Sequence, residues 1–560
     1  MRQVASCRIP LPLHSAAALA FCGTPPASFR PLTLGIYALL SEVYIDPVVA
    51  RPCVLRYTAR MTVFKRTVLA LFFLSTAFFS FAEKTPIENV HRYKLKNGLD
   101  VYVVENHAAP LAYIEIAVKA GGIAQTSENA GLFHLYEHMM FKGNAKYPNA
   151  ASVQRAISDM GVPDWNGTTG AECVNYYFTV PSALLREGME FWSYAIRSPL
   201  LDEAEFEREK KVVLSEIEGG LSDPNTIYRY DIQKTLFPKY PWRCDPAGSP
   251  AVVRNATLDQ IRAIQKNYYI PNNAALFIAG DVNPEEVHAL AKELYGSWER
   301  GKDPWVPPIE QQPVNPLPHT TFRVMPYDRI SIDMAQVSVI YRGPDAGYDR
   351  KATYAADLLG YFFDDPDGIY VRTMMQNEAL GIPDPEYVWE GYMTTRATST
   401  LSFGALLLSP EKDLAQRAAL FYTTLTENIV NRIRSDSSIF SKRQFSRVYQ
   451  KIKDTFIDDA ETAERVKTSL RFWWITADAD YYYRYLDNMM KIDKTDIDRF
   501  LTEYVSERNA LVTVLVNPAV YEKQKKAFAE AGFSEITADT AFWYNGRIND
   551  MGINDRSEKK

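Results

Sequence analysis

The feature that most constrains this chain is a block that occurs once near the end of each half. Asp259-Gln-Ile261 through Tyr268, then Asn273-Ala274-Ala-Leu-Phe-Ile, is matched by Thr495-Asp-Ile497 through Tyr504, then Asn509-Ala510-Leu-Val-Thr-Val. Ile261, Tyr268 and Asn273 recur at one constant offset as Ile497, Tyr504 and Asn509. Each copy reads as a helix, a short turn and a buried strand, and copies that agree in both spacing and place imply duplication. Between them lies PWVPPIEQQPVNPLP (304–318), with six prolines in fifteen residues. Proline at that density excludes a helix or an interior strand, so the stretch is predicted to be an extended tether.

The first half mixes the two periodicities. Asn97-Gly98 separates two short alternating runs and predicts a hairpin. Leu111 to Ala120 alternates, as do Val174, Tyr176, Phe178 and Val180 within 172–180. Helical patterns fall around 129–142, 150–160, 182–197 and 202–218. The fold class predicted is α+β: two homologous layered domains, each a largely antiparallel sheet with helices on one face, joined by a Pro-rich linker. Boundaries follow at 83–303 for the first domain, 304–320 for the linker, 321–545 for the second domain and 546–560 for a polar tail. Apolar residues make up 47% and charged residues 23% of the 560, which excludes wholesale disorder and a multi-span membrane protein. A net charge of −6 without a basic tract argues against a nucleic-acid partner.

From Met61 the chain reads MTVFKRTVLALFFLSTAFFSFAEK. Lys65 and Arg66, the apolar run Val68 to Phe81 and the small residues around Ser80 and Ala82 have the order of a secretory signal peptide, 61–82. The run is too short to span a bilayer, so no stable membrane span is expected. Secretory signals begin at an N-terminus, so 1–60 is read as a non-native or mis-assigned extension. The mature protein is expected to be exported, periplasmic or secreted.

The chemistry is concentrated in Gly131-Leu-Phe-His134-Leu-Tyr-Glu137-His138-Met-Met-Phe-Lys-Gly143. In a helix His134 and His138 are one turn apart on one face and can grip one metal. Glu137 lies beside that face, where a general base for an activated water belongs. Imidazole donors suit zinc, whose catalytic sites use three protein ligands and a water. The apolar neighbours make this helix mostly buried, and buried paired histidines need a partner. The third ligand is sought in Asp202-EAEFEREKKVVLSEIEGG. There Phe206, Val213 and Ile217 form an apolar stripe, with Glu209 and Glu216 on its edge and Glu205 nearby, while Glu207 and Glu218 point away. Glu209 and Glu216 are about 10.5 Å apart along the axis, too far for both to bind one ion. Helical geometry alone leaves the choice between them open. All seven histidines lie at or before His319, so the second half cannot repeat this set.

Three separated blocks resemble the inverted-motif zinc peptidases of the pitrilysin/insulinase type, including the processing peptidases: His134 to Gly143, Trp165-Asn166-Gly167-Thr168-Thr169 through Phe178, and Glu209-Lys-Lys-Val-Val-Leu-Ser-Glu216-Ile. The resemblance implies that His134, His138 and Glu216 bind one Zn2+ per chain and that Glu137 is the base. It implies that Glu209 orients a ligand from behind and that Asn166 lies near the substrate. It further implies a half-clamshell whose chamber is closed by a homodimeric partner or a related subunit, and a peptide substrate. The family's later domain often supplies an Arg and a Tyr. Here Gln376 stands where the Arg is expected, and Arg372, Tyr387 or Arg396 would have to substitute. The leading expectation is therefore a zinc endopeptidase with loose specificity, its substrate pairing with an edge of the sheet to which strand 172–180 belongs; 172–180 equally reads as a plain core strand. The alternative is a catalytically weak or inactive peptide-binding or assembly subunit of the same fold.

Overall fold

The computed structural model describes residues 89–545. The leader expected at 61–82, the extension 1–60 and the tail 546–560 lie outside the described residues.

The first sheet starts with the hairpin marked by Asn97-Gly98. β1 (Val90–Lys94) pairs antiparallel with β2 (Asp100–Glu105), Lys94 opposite Asp100. Gly98 takes φ +98°, its N–H donates to the Leu95 carbonyl, and the Leu95 N–H donates to the Leu99 carbonyl. The result is a three-residue turn closed by a left-handed glycine. β3 (Leu111–Lys119), β4 (Trp165–Thr169), β5 (Cys173–Pro181) and β6 (Ala274–Gly280) complete a sheet of order β1-β2-β6-β3-β5-β4. The second half builds β7 (Thr321–Pro326), β8 (Met334–Arg342), β9 (Val388–Met393), β10 (Thr400–Leu408), β11 (Leu511–Val516) and β12 (Ser534–Glu535) into a sheet of order β12-β7-β11-β8-β10-β9.

The duplication read from the sequence is present in the strand registers. β2 runs parallel to β6 and β7 parallel to β11, while the next three pairings in each sheet are antiparallel. Ala112 faces Gly280 in the first sheet, and Ala335 faces Val516 in the second. The sheets differ at one margin, where β1 is antiparallel to β2 but β12 is parallel to β7.

In the first half the inward residues Ile114, Ile116, Val118, Val174, Tyr176, Phe178 and Val180 form one core with Phe133, Tyr136 and Trp192 of the overlying helices. Helices were expected on one face only. The opposite face is also covered, because Tyr102, Ala117, Ala275 and Phe277 pack against Leu470, Trp474 and Ile475. These belong to a helix of the second half, Ala463–Thr476, called the capping helix below. A sheet with apolar residues on both faces needs a layer on each side, and the second half supplies one of them.

The proline-rich stretch contains no helix or strand and is packed rather than free. Gln312 is buried, donates to the Tyr240 carbonyl at 3.0 Å and accepts from the Tyr240 N–H at 3.2 Å. Among the described residues no helix is long and apolar enough to cross a membrane.

Candidate metal centre

The H-x-x-E-H segment forms a short helix, Leu132–Met139, the motif helix. Gly131 precedes it at φ +98°, and a Cβ there would lie 2.5 Å from the Ala247 carbonyl, so only glycine fits. The Gln125 side chain accepts the Gly131 N–H at 2.6 Å, satisfying a donor at the helix start. Leu132, Phe133, Leu135, Tyr136 and Met139 are fully buried, which fixes the rotation of the helix and holds the two imidazoles at its margin.

The acidic helix, Glu203–Leu221, is capped by Asp202, whose side chain accepts the Glu205 N–H at 2.9 Å. Its stripe of Phe206, Val213 and Ile217 is buried against the motif helix's core. That docking separates the two glutamates the sequence left equivalent. Glu216 directs Oε2 to within 3.7 Å of His134 Nε2 and 3.6 Å of His138 Nε2. Glu209 is buried and directs Oε2 to His138 Nδ1, on the far side of that ring, at 3.0 Å. Lys142 Nζ lies 2.6 Å from the other oxygen of Glu209. Glu205 pairs with Arg208 and Glu207 with Lys210, as ordinary helix-surface ion pairs.

The donor set fits zinc. Four ligands at about 2.1 Å around a tetrahedral ion stand about 3.4 Å apart, close to the spacing of Glu216 from both imidazoles. His134, His138 and Glu216 each offer one donor atom, all within 4.8 Å of one another, and they are the one such group of three among the described residues. Burial, reinforced by neighbouring His138, lowers the His134 pKa to about 3, so this imidazole is neutral and ready to donate its lone pair at neutral pH. Burial also works against charge on His138, but Glu209, Glu137 and Glu216 outweigh it and raise the pKa of that ring. Glu209 behind His138 is the carboxylate–imidazole pairing that fixes which nitrogen faces a metal.

Glu137 is held apart from the donor triad. Its Oε2 accepts the Thr169 hydroxyl at 2.6 Å, and burial pushes its pKa up to about 7 despite Thr169 and His138. Thr169 lies in β4, and the same strand makes room for the carboxylate. A Cβ at Gly167 would come within 2.9 Å of Glu137 Oε1. The roles of Thr169 and Lys142 are not legible in the sequence, because the contacts that define them come from tertiary packing. Asn166, expected near substrate, lies on β4 opposite Tyr177. The strand 172–180 is interior, as its reading as a core strand has it: β5 is flanked by β3 and β4, and β4 is an edge of the same sheet.

The second half shows why it lacks a comparable group. Gly167 pairs with Tyr176, which pairs with Ile116; Glu390 pairs with Phe403, which pairs with Val339, at the same place in the second sheet. On the overlying helix Arg350–Phe363, a Cβ at Gly360 would lie 2.9 Å from Glu390 Oε2. The carboxylate and the glycine have exchanged sides of one contact. Asp357 and Tyr361 flank Gly360 at the spacing with which His134 and His138 flank Glu137. Neither supplies an imidazole, and Glu390 is buried, its carboxyl raised well above the usual range by desolvation.

Comparison with known proteins agrees with this geometry. Residues 100–242 match the family described as Insulinase (Peptidase family M16), and residues 255–382 match the Peptidase M16 inactive domain. The second match begins within the first half and crosses the proline-rich stretch. The zinc protease PqqE of Helicobacter pylori is 27% identical over 223 residues, 39% of this chain and 50% of that protein. An insulin-degrading enzyme homolog of Dictyostelium discoideum is 29% identical over 210 residues, 37% of this chain and 22% of that protein. The matches thus span about half or less of these relatives. Among solved structures, the first half of the periplasmic protease PqqL from Escherichia coli superposes with TM-score 0.64 at 17% identity, covering 80% of this chain and 96% of that one. That likeness shows the fold.

Proposed function

We propose that this chain, which carries N- and C-terminal domains of the M16 (insulinase/pitrilysin-type) peptidase family, is a zinc-dependent endopeptidase acting on peptides or unfolded polypeptides outside the cytoplasm. The observation that carries the reading is the convergence of His134 Nε2, His138 Nε2 and Glu216 Oε2, with Glu137 beside them and bonded to a different partner. Zinc held by the three donors supplies Lewis acidity, which lowers the pKa of water and polarises a carbonyl oxygen. Glu137 accepts the proton of the attacking water and returns it to the leaving amine. Burial raises the proton affinity of the Glu137 carboxyl, which favours its acting as a base.

β4 borders this site and has no strand on its outer side among the described residues. A substrate segment adding there is read through its main chain, which favours extended peptides over folded proteins and makes specificity loose. Asn166 belongs to that edge. The chain is proposed to close its chamber with a second copy or a related subunit. Export rests on the leader-like segment 61–82, and the similar PqqL protease is itself periplasmic.

One observation favours the alternative of a non-catalytic peptide-binding subunit. Gln376 stands where the arginine is expected, and Arg396, a candidate substitute, has its guanidinium 4.5 Å from the centre of the Trp305 ring while its backbone N–H donates to Glu172. Turnover of a quenched library of flexible peptides decides between them. Chelation is expected to abolish cleavage and one equivalent of zinc to restore it; no cleavage by the zinc-loaded protein would favour the subunit, and cleavage indifferent to chelation would defeat the zinc mechanism.

A further inference from the structure

The side of β4 away from Glu137 carries a second set of polar contacts that the proposed chemistry does not use. Thr169 points to Glu137, and its neighbour Thr168 points the other way, as alternation in a strand requires. The Thr168 hydroxyl donates to Asn175 Oδ1 on β5. Asn175 Nδ2 donates to Glu115 Oε1 on β3 at 2.7 Å, and the Tyr113 hydroxyl donates to Glu115 Oε2 at 2.8 Å. Glu115 is fully buried in mid-sheet. Its charge is met by two cations of the capping helix, Arg471 Nη1 at 3.2 Å and Lys467 Nζ at 3.9 Å. Lys467 also stands 3.6 Å over the Tyr113 ring. A carboxylate this deep is tolerated only when paired and hydrogen-bonded, and both of its ionic partners come from the half without a metal site.

We propose that Thr168, Asn175 and Glu115, anchored by Arg471 and Lys467, form a positioning network that holds β4 in place beside Glu137. Through it the second half acts on the site without touching it. An edge strand has backbone partners on one side only, so it relies more on such side-chain anchors than an interior strand does. Successive residues pin β4 to its two faces: Thr169 to the base and Thr168 to the interface between halves. The inference rests on the reading of β4 as the substrate-pairing edge, but its first test does not need substrate.

Hydrogen exchange of the full-length, metal-stripped protein is compared for wild type, Thr168→Val and Arg471→Gln. Amides of 165–169 are expected to exchange about tenfold faster in both variants, with β2 (100–105) within about twofold of wild type. Arg471→Gln leaves a buried charge underpaired and is the variant more prone to misfold; Thr168→Val cuts the network without doing so and decides the question alone. Unchanged exchange in 165–169, or equal acceleration in β2, would overturn the proposal. On flexible peptides, Thr168→Val is expected to raise KM about fivefold with kcat within about twofold, since Thr169 still holds Glu137. Local loosening with unchanged KM would overturn the link to the site. Absence of turnover in wild type would instead count against the peptidase reading, leaving the exchange result to judge the network.

Discussion

Glu137→Gln is expected to bind zinc like wild type and to lose about 10³-fold in kcat on flexible peptides, within the range that a positioned general base supplies. The substitution preserves shape, and the pocket is shaped for it: Gly167 leaves no Cβ in the way, and an amide oxygen can still accept the Thr169 hydroxyl. What is lost is the capacity to take a proton from water and return it to an amine. The prediction is specific because Glu137 carries no share of the donor triad, in which Glu216 approaches both imidazoles. Metal analysis of the purified variant beside single-turnover cleavage checks it. Turnover within about tenfold of wild type would remove Glu137 as the base. Loss of metal together with activity would mean that the carboxylate ligates rather than abstracts.

The second large effect separates the two glutamates of the acidic helix. Glu216→Ala is expected to purify without stoichiometric zinc, because it removes one of the three protein ligands proposed above. Glu209→Gln is expected to retain the metal with affinity weakened about 10- to 100-fold, the usual cost of losing a carboxylate behind a ligating histidine. The cause in this chain is explicit. Glu209 anchors Nδ1 of His138 and is itself paired with Lys142, so an uncharged amide still occupies the space but no longer favours the tautomer that presents Nε2. Competitive titration against a chromophoric chelator measures both. The reverse order, with Glu209→Gln metal-free and Glu216→Ala loaded, would exchange the roles assigned to them.

Much of this was legible in the sequence where the signal was local. The one-turn spacing of His134 and His138, the buried stripe Phe206, Val213 and Ile217, and the alternation of Val174, Tyr176, Phe178 and Val180 each follow from a single element's period, and the buried residues follow those periods. The recurring Ile261/Ile497 block exposed the duplication, because it reports the same helix-turn-strand unit in each sheet. What needed the structure depends on how elements dock. Glu209 and Glu216 share one helix edge, and only the approach of the motif helix sends one carboxylate to Nδ1 and the other to Nε2. Strand order made β4 rather than β5 the edge, and no alternation pattern encodes order. The capping helix was unreadable for the same reason: its Leu470 and Trp474 fit any apolar face, and nothing local says that the face belongs to the other half. The transposed pair Gly360 and Glu390 is the sharpest case, since a carboxylate moved from helix to strand leaves no motif to find.

The central claim is that two imidazoles and one distant carboxylate, and no thiol, surround a single zinc ion. The described residues include two cysteines, Cys173 and Cys244, so the claim can fail in an observable way. Zinc K-edge X-ray absorption on the protein loaded with one equivalent tests it directly. The expected spectrum has about four nitrogen or oxygen scatterers near 2.0–2.1 Å, with the outer-shell signature of two imidazole rings. A sulfur shell near 2.3 Å, or a first shell without imidazole, would contradict the account.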